Sequence, residues 1–209
     1  MSDVTGTIWG YSISGASLPD ILTVADFNII TGGRYTGDAR IDPGIKAAQN
    51  AVRNYCGWHL APSLTCFYES RVLYGNDRLK RVGPDLLIQL PAAVITGIES
   101  VFIDEIEMEA GWGDQAGYIH AFDVPPLTRK SLVQVEYTAG LPDADAAIIR
   151  EIIADMVTHA LASSYGVTSE AAGGMSITYN SSWVTANTAN ALSESAKESL
   201  EVYRLKGVF

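Results

Sequence analysis

The order of periodicities along this chain constrains its fold more than any single motif does. Residues 42–56, DPGIKAAQNAVRNYC, read as one helix that stops at Gly57-Trp58. From about residue 64 to 138 the pattern alternates with the period of two that strands require. A second helical pattern opens at Asp143. Each flanking helix has an apolar face that needs a partner, so the expected fold is one helical unit interrupted by a β module.

Local signals refine this reading. Residues 1–20 are rich in Gly, Ser and Thr and read as an arm or an irregular strand outside the core. Thr23-Val-Ala-Asp26 has the form of a capping box and opens a short helix through Phe27 and Ile30, ended by Gly32-Gly33. Asp42 is expected as N-cap of the next helix, with Pro43 at N1 and Gly57 at C′. Its face is Ile45, Ala48, Val52 and Tyr55, with Lys46 and Arg53 mostly outside it. In the β stretch Leu64, Cys66 and Tyr68 share one face, and Leu86–Leu90 is a buried strand closed by Pro91. Ile98–Ile103 is a strand that turns at Asp104-Glu105, returning Ile106 and Met108 to the inner face. Tyr118–Phe122 and the alternating Leu132–Tyr137 follow, for about six strands. Asp143 or Asp145 is expected to cap an apolar helix carrying Ile149, Ile153, Val157 and Leu161 and ended by Gly166. A last helix is expected from about residue 188 to 205.

The 209 residues are 47% hydrophobic and 18% charged, which fits a globular chain with a real core. No run reaches the length of a membrane span, and the N-terminus lacks a signal-peptide pattern. Cys56 and Cys66 fit no metal or redox spacing and point to free thiols in a reducing compartment. The net charge of −10 repels phosphate backbones.

No motif carries chemistry. Gly111-x-Gly113 is not followed by a helix, and Gly10-Tyr-Ser12-Ile-Ser14 misses the nucleophile elbow. His59, His120 and His159 lack partners at metal-ligand spacing, and His59 is read as meeting the end carbonyls of a helix. Glu105, Glu107 and Glu109 share a strand face and read as a solvated surface before they read as an acid/base pair. Trp58, Trp112 and Trp183 could form a stacking platform, though such residues more often pack a core edge or an interface. No catalytic, cofactor or metal residue is assigned.

Several strings in this order resemble the head–tail connector, or adaptor, proteins of tailed bacteriophages. They are Tyr55-Cys-Gly-Trp58, Leu87-Ile-Gln-Leu-Pro91 followed by Ile98-Glu-Ser-Val101, Gly117-Tyr-Ile, and Val133-Gln-Val-Glu-Tyr-Thr-Ala-Gly140 before a long helix. The resemblance covers about residues 22–205 and leaves the N-terminal arm aside. It implies a non-enzymatic dodecameric ring in the virion neck, assembled in the host bacterial cytoplasm. Such a ring sits under the portal protein, lengthens the DNA channel and receives the stopper or tail-completion protein. DNA passes through without specific binding, and no membrane or cofactor is involved. Twelve copies would carry on the order of −120 formal charges, which keeps DNA from sticking. The chain ends at Phe209, soon after the last helix, so no long portal-binding tail is expected.

The expected architecture is therefore α+β: a bundle of three to four helices with an inserted small antiparallel β-sandwich or barrel. Its parts are an N-terminal arm (1–20), a helical connector core (21–61 plus 141–209) and a β module (62–140). Tyr203, Arg204, Lys206 and Phe209 form a basic, aromatic end expected to dock to the portal. Met175, Ile177, Tyr179 and Trp183 are expected at contacts between subunits. The alternative is a β-sandwich binding module for a glycan or cell-surface partner, and a hydrolase using the three glutamates is a third reading.

Overall fold

A computed structural model describes residues 4–71, 78–112, 117–162, 169–172, 175–178 and 192–205. The class is α+β, with four α-helices and antiparallel sheets among the described residues. The chain divides into two compact units. One comprises residues 1–19, 57–144 and 203–209; the other comprises 20–56 and 145–202.

The second unit is helical. Helix α1 (Val24–Ile30) starts as its sequence dictates, with Thr23 and Asp26 completing a capping box. The Thr23 hydroxyl, and then its backbone N–H, hold the Asp26 carboxyl below its ordinary value. Helix α2 (Ile41–Cys56) begins one residue earlier than expected. Asp42 is not the cap. It lies inside the first turn and pairs with Lys46 across one turn at 2.8 Å, while Asp38 accepts the Arg40 backbone N–H at 2.9 Å. The Arg40 guanidinium also draws Asp38 down to about 2. Gly57 ends α2 at φ +80°, a conformation glycine adopts without a Cβ penalty.

Helix α3 (Ala147–Ala162) buries Ile149, Ile153, Ala154, Val157 and Leu161. Neither Asp143 nor Asp145 caps it, because the first helical bond runs from Arg150 N–H to the Ala146 carbonyl. Helix α4 (Glu194–Leu200) is shorter than expected and is capped by Ser193, with a 3₁₀ turn (Glu201–Tyr203) after it. The apolar face of α2 is wider than its aliphatic stripe: Gln49 and Arg53 are buried too. Gln49 Oε1 accepts the N–H groups of Ile21 and Leu22, and its Nε2 donates to Asp20 at 3.0 Å. One amide side chain thus satisfies the donors of a chain segment that has no helix of its own. Arg150 Nε donates to the Ile21 carbonyl at 3.1 Å, tying the same segment to α3.

The first unit is built from strands. A six-stranded sheet runs in the order β1 (Val4–Gly6), β2 (Ser12–Ser14), β3 (Leu64–Arg71), β10 (Leu132–Ala139), β6 (Ile95–Ile103), β7 (Ile106–Glu107). A four-stranded sheet runs β4 (Leu79–Val82), β5 (Asp85–Gln89), β9 (Tyr118–Ala121), β8 (Ala110–Trp112). All pairings are antiparallel. The strict alternation of β10 turns Val133, Val135 and Tyr137 inward, where Val135 lies opposite Tyr68 and Val101. The Asp104-Glu105 turn forms as expected, both residues at positive φ.

Two readings of this unit change. The N-terminal stretch is not outside the core: β1 and β2 form a hairpin on the edge of the large sheet, and Tyr11 and Ile13 are buried. Ile106 does not return inward. It is 56% exposed, because β7 pairs over two residues only and lies at the sheet edge. The remaining sheet, β11 (Ser169–Ala172) with β12 (Met175–Thr178), is a hairpin between α3 and α4.

Candidate functional site

A buried polar arrangement in the strand unit surrounds His59, which is fully buried. Its Nδ1 lies 2.7 Å from the Tyr11 hydroxyl and its Nε2 lies 3.0 Å from the Ala139 carbonyl. A carbonyl can only accept, so Nε2 carries the proton, and Nδ1 accepts from the Tyr11 O–H. The Tyr11 oxygen in turn accepts the His59 backbone N–H at 3.1 Å. The ring stands edge-on to Trp58. This histidine is a structural hub and does not serve a helix end.

Trp58 is also fully buried, and its Nε1–H donates to the Tyr203 carbonyl at 2.7 Å. Tyr203, the last residue of the 3₁₀ turn, belongs to the strand unit with Trp58. Tyr203 is half-buried and Arg204 exposed, while Lys206 and Phe209 lie outside the described residues. The buried Trp58 cannot join Trp112, which is 57% exposed, in a stacking platform. Trp183 lies outside the described residues, as does Tyr179. Met175 and Ile177 occupy β12.

Nothing here assembles into a reactive constellation. Glu105, Glu107 and Glu109 are all exposed. No group of three or more His, Cys, Asp or Glu that could hold a metal occurs among the described residues. Both cysteines are free and buried. Burial pushes the Cys66 thiol up to about 12, against the pull of the Ala139 backbone, so it is no nucleophile at neutral pH. Burial likewise raises the Tyr137 hydroxyl well above its ordinary value. That hydroxyl finds no nitrogen or oxygen partner among the described residues, and Cys66 is its register partner on β3. No described helix is long and apolar enough to cross a membrane.

A family model described as Head completion protein matches residues 20–205, spanning α1 through the 3₁₀ turn after α4. The chain belongs to the Head completion protein family. This is a family of phage head–tail connectors, so the protein is a phage structural component with a head–tail connector role. No curated protein matches the chain. The family match takes in segments of both units and omits the β1–β2 hairpin. Sequence reasoning passed over that hairpin, Gln49 and the Tyr11–His59 pair. The one available signal was Tyr11 and Ile13 on the same side of a period-two pattern.

Proposed function

We propose that this head completion protein forms a closed ring of twelve copies in the virion neck, under the portal protein, extending the DNA channel toward the tail. The match to the Head completion protein family over residues 20–205 carries the reading. The net charge of −10 per copy supports a wall that DNA slides past without specific binding. The end comprising Trp58-bound Tyr203, Arg204, Lys206 and Phe209 is the portal-docking surface in this reading. The stopper or tail-completion protein binds the opposite rim. The hairpin β11–β12, with Met175 and Ile177 on β12 and Tyr179 and Trp183 beyond it in sequence, supplies contacts between copies.

Native mass spectrometry and electron microscopy of the full chain, alone and mixed with portal, test this. A closed twelve-fold ring is the expected result. A chain that stays monomeric and ignores the portal would sink the proposal. The glycan-binding alternative retains one supporting observation, the exposed Trp112 on edge strand β8. Glycan-array binding by the full chain would favour it.

A further inference from the structure

Copies of a chain with net charge −10 repel one another, so they approach at least cost where carboxylates are absent. Two long stretches lack Asp, Glu, Lys and Arg and are rich in small polar residues: 4–19 and 171–193. The first contains β1 and β2; the second contains β12 and ends beside the α4 cap, Ser193.

Among the described residues, each of these stretches also holds an open sheet edge. Exposed edges in natural proteins are blunted by charge, proline or shortness, because bare N–H and C=O groups recruit other strands. Edge strand β4 carries Lys80 and Arg81. Edge strand β7 has two residues, one of them Glu107. Edge strand β8 lies between Glu109 and Asp114 in sequence. The edge formed by β1 has neither charge nor proline from Val4 to Leu18, and Val4 and Ile8 are 53% and 82% exposed.

The register fixes which groups are open. Thr7 N–H donates to the Tyr11 carbonyl at 2.8 Å, and Thr5 is paired with Ile13. Antiparallel bonding alternates, so the N–H and C=O of Val4 and Gly6 point away from β2. No described residue pairs on that side of β1. On the other element, β12 (Met-Ser-Ile-Thr) pairs only with β11 among the described residues. A two-stranded hairpin is marginal alone and gains from a third strand.

We propose that strand β12 of one copy adds to the free edge of β1 in a second copy, through the outward backbone groups of Val4 and Gly6. This rests on the ring reading and names the pair of elements that joins neighbours within it. The affinity comes from main-chain hydrogen bonds and from burying Val4 and Ile8, the mode of strand addition.

Hydrogen exchange on monomeric and assembled full-length protein decides it, with native mass spectrometry reporting assembly. Amides 4–6 and 175–178 should exchange on the order of 100-fold more slowly in the ring than in the monomer. Gly6→Pro removes an outward N–H, and a Cβ at this position meets nothing within 4 Å. It should leave the monomer's melting unchanged, abolish the protection of 175–178 and weaken assembly. Ile177→Asp, placed on the other strand, should do the same and carries the test if the proline variant misfolds. Rings whose 4–6 amides exchange as in the monomer overturn the strand pairing and leave the ring intact. Protection of Gly6 already in the monomer overturns it in favour of an occupant from the same chain. A wild-type chain that never assembles overturns both readings.

Discussion

The Tyr11 hydroxyl and the His59 imidazole satisfy each other in the interior: the oxygen donates to Nδ1 at 2.7 Å and accepts the His59 amide at 3.1 Å. Together they tie the N-terminal hairpin to the residues that follow α2. Tyr11→Phe leaves both His59 groups without this partner. We expect a loss of about 1–3 kcal/mol in urea unfolding, with the fastest new exchange at residues 4–14.

The bond from Trp58 Nε1 to the Tyr203 carbonyl gives Tyr203 a structural role apart from the docking role proposed for this end. Removing residues 203–209 strands a buried indole donor and should cost about 1–3 kcal/mol. Removing only 206–209 should leave the melting temperature unchanged while weakening portal binding in a pull-down. Equal stability of the two truncations would contradict the role given to this bond.

Val52 on α2 is fully buried. A carboxylate there has nowhere to go, so Val52→Asp should destabilise the chain by more than about 3 kcal/mol in calorimetry.

Two glycines with positive φ predict opposite magnitudes. A Cβ at Gly140 would lie 2.5 Å from the Pro62 carbonyl oxygen and 2.7 Å from Ser63 Cα. Gly140→Ala should cost more than about 2 kcal/mol. At Gly57 the nearest atom is Leu205 Cβ at 3.7 Å, so only the left-handed backbone is penalised, by about 1–2 kcal/mol. Paired denaturation curves would check the ordering.

The capping box of α1 gives a pH dependence. Asp26 has a folded value below its ordinary 3.8, chiefly through the Thr23 hydroxyl. A depressed carboxyl stabilises the fold above its unfolded value, and that contribution disappears as pH falls through the folded value. Asp26→Asn should therefore be less stable than wild type at neutral pH, with the gap closing in strong acid. A gap that widens on acidification would reverse the assignment.

What the sequence made legible was local. Thr23 and Asp26 announce α1, the alternation of Val133, Val135 and Tyr137 announces β10, and Asp104-Glu105 announces its turn, because each signal acts within a few residues. Asp42 misled as a cap because Asp38 lies four residues upstream with the same chemistry and captures the Arg40 amide. Gln49 was passed over and His59 misjudged because their burial depends on partners far away in sequence: Asp20, Ile21 and Leu22 for Gln49, and Ala139 for His59. Alternation alone placed Met175 and Ile177 on a strand, and it identifies a strand and not its neighbour.

Neither compact unit is contiguous in the chain, and this dictates the order in which they can be completed during synthesis. A ribosome delivers α1 and α2 first, but their partner α3 emerges only after the whole stretch 57–144. The strands in turn wait for Tyr203 before Trp58 has its acceptor. The helical unit is therefore completed only by residues 145–202 and the strand unit only by Tyr203, so neither can close before these have left the exit tunnel.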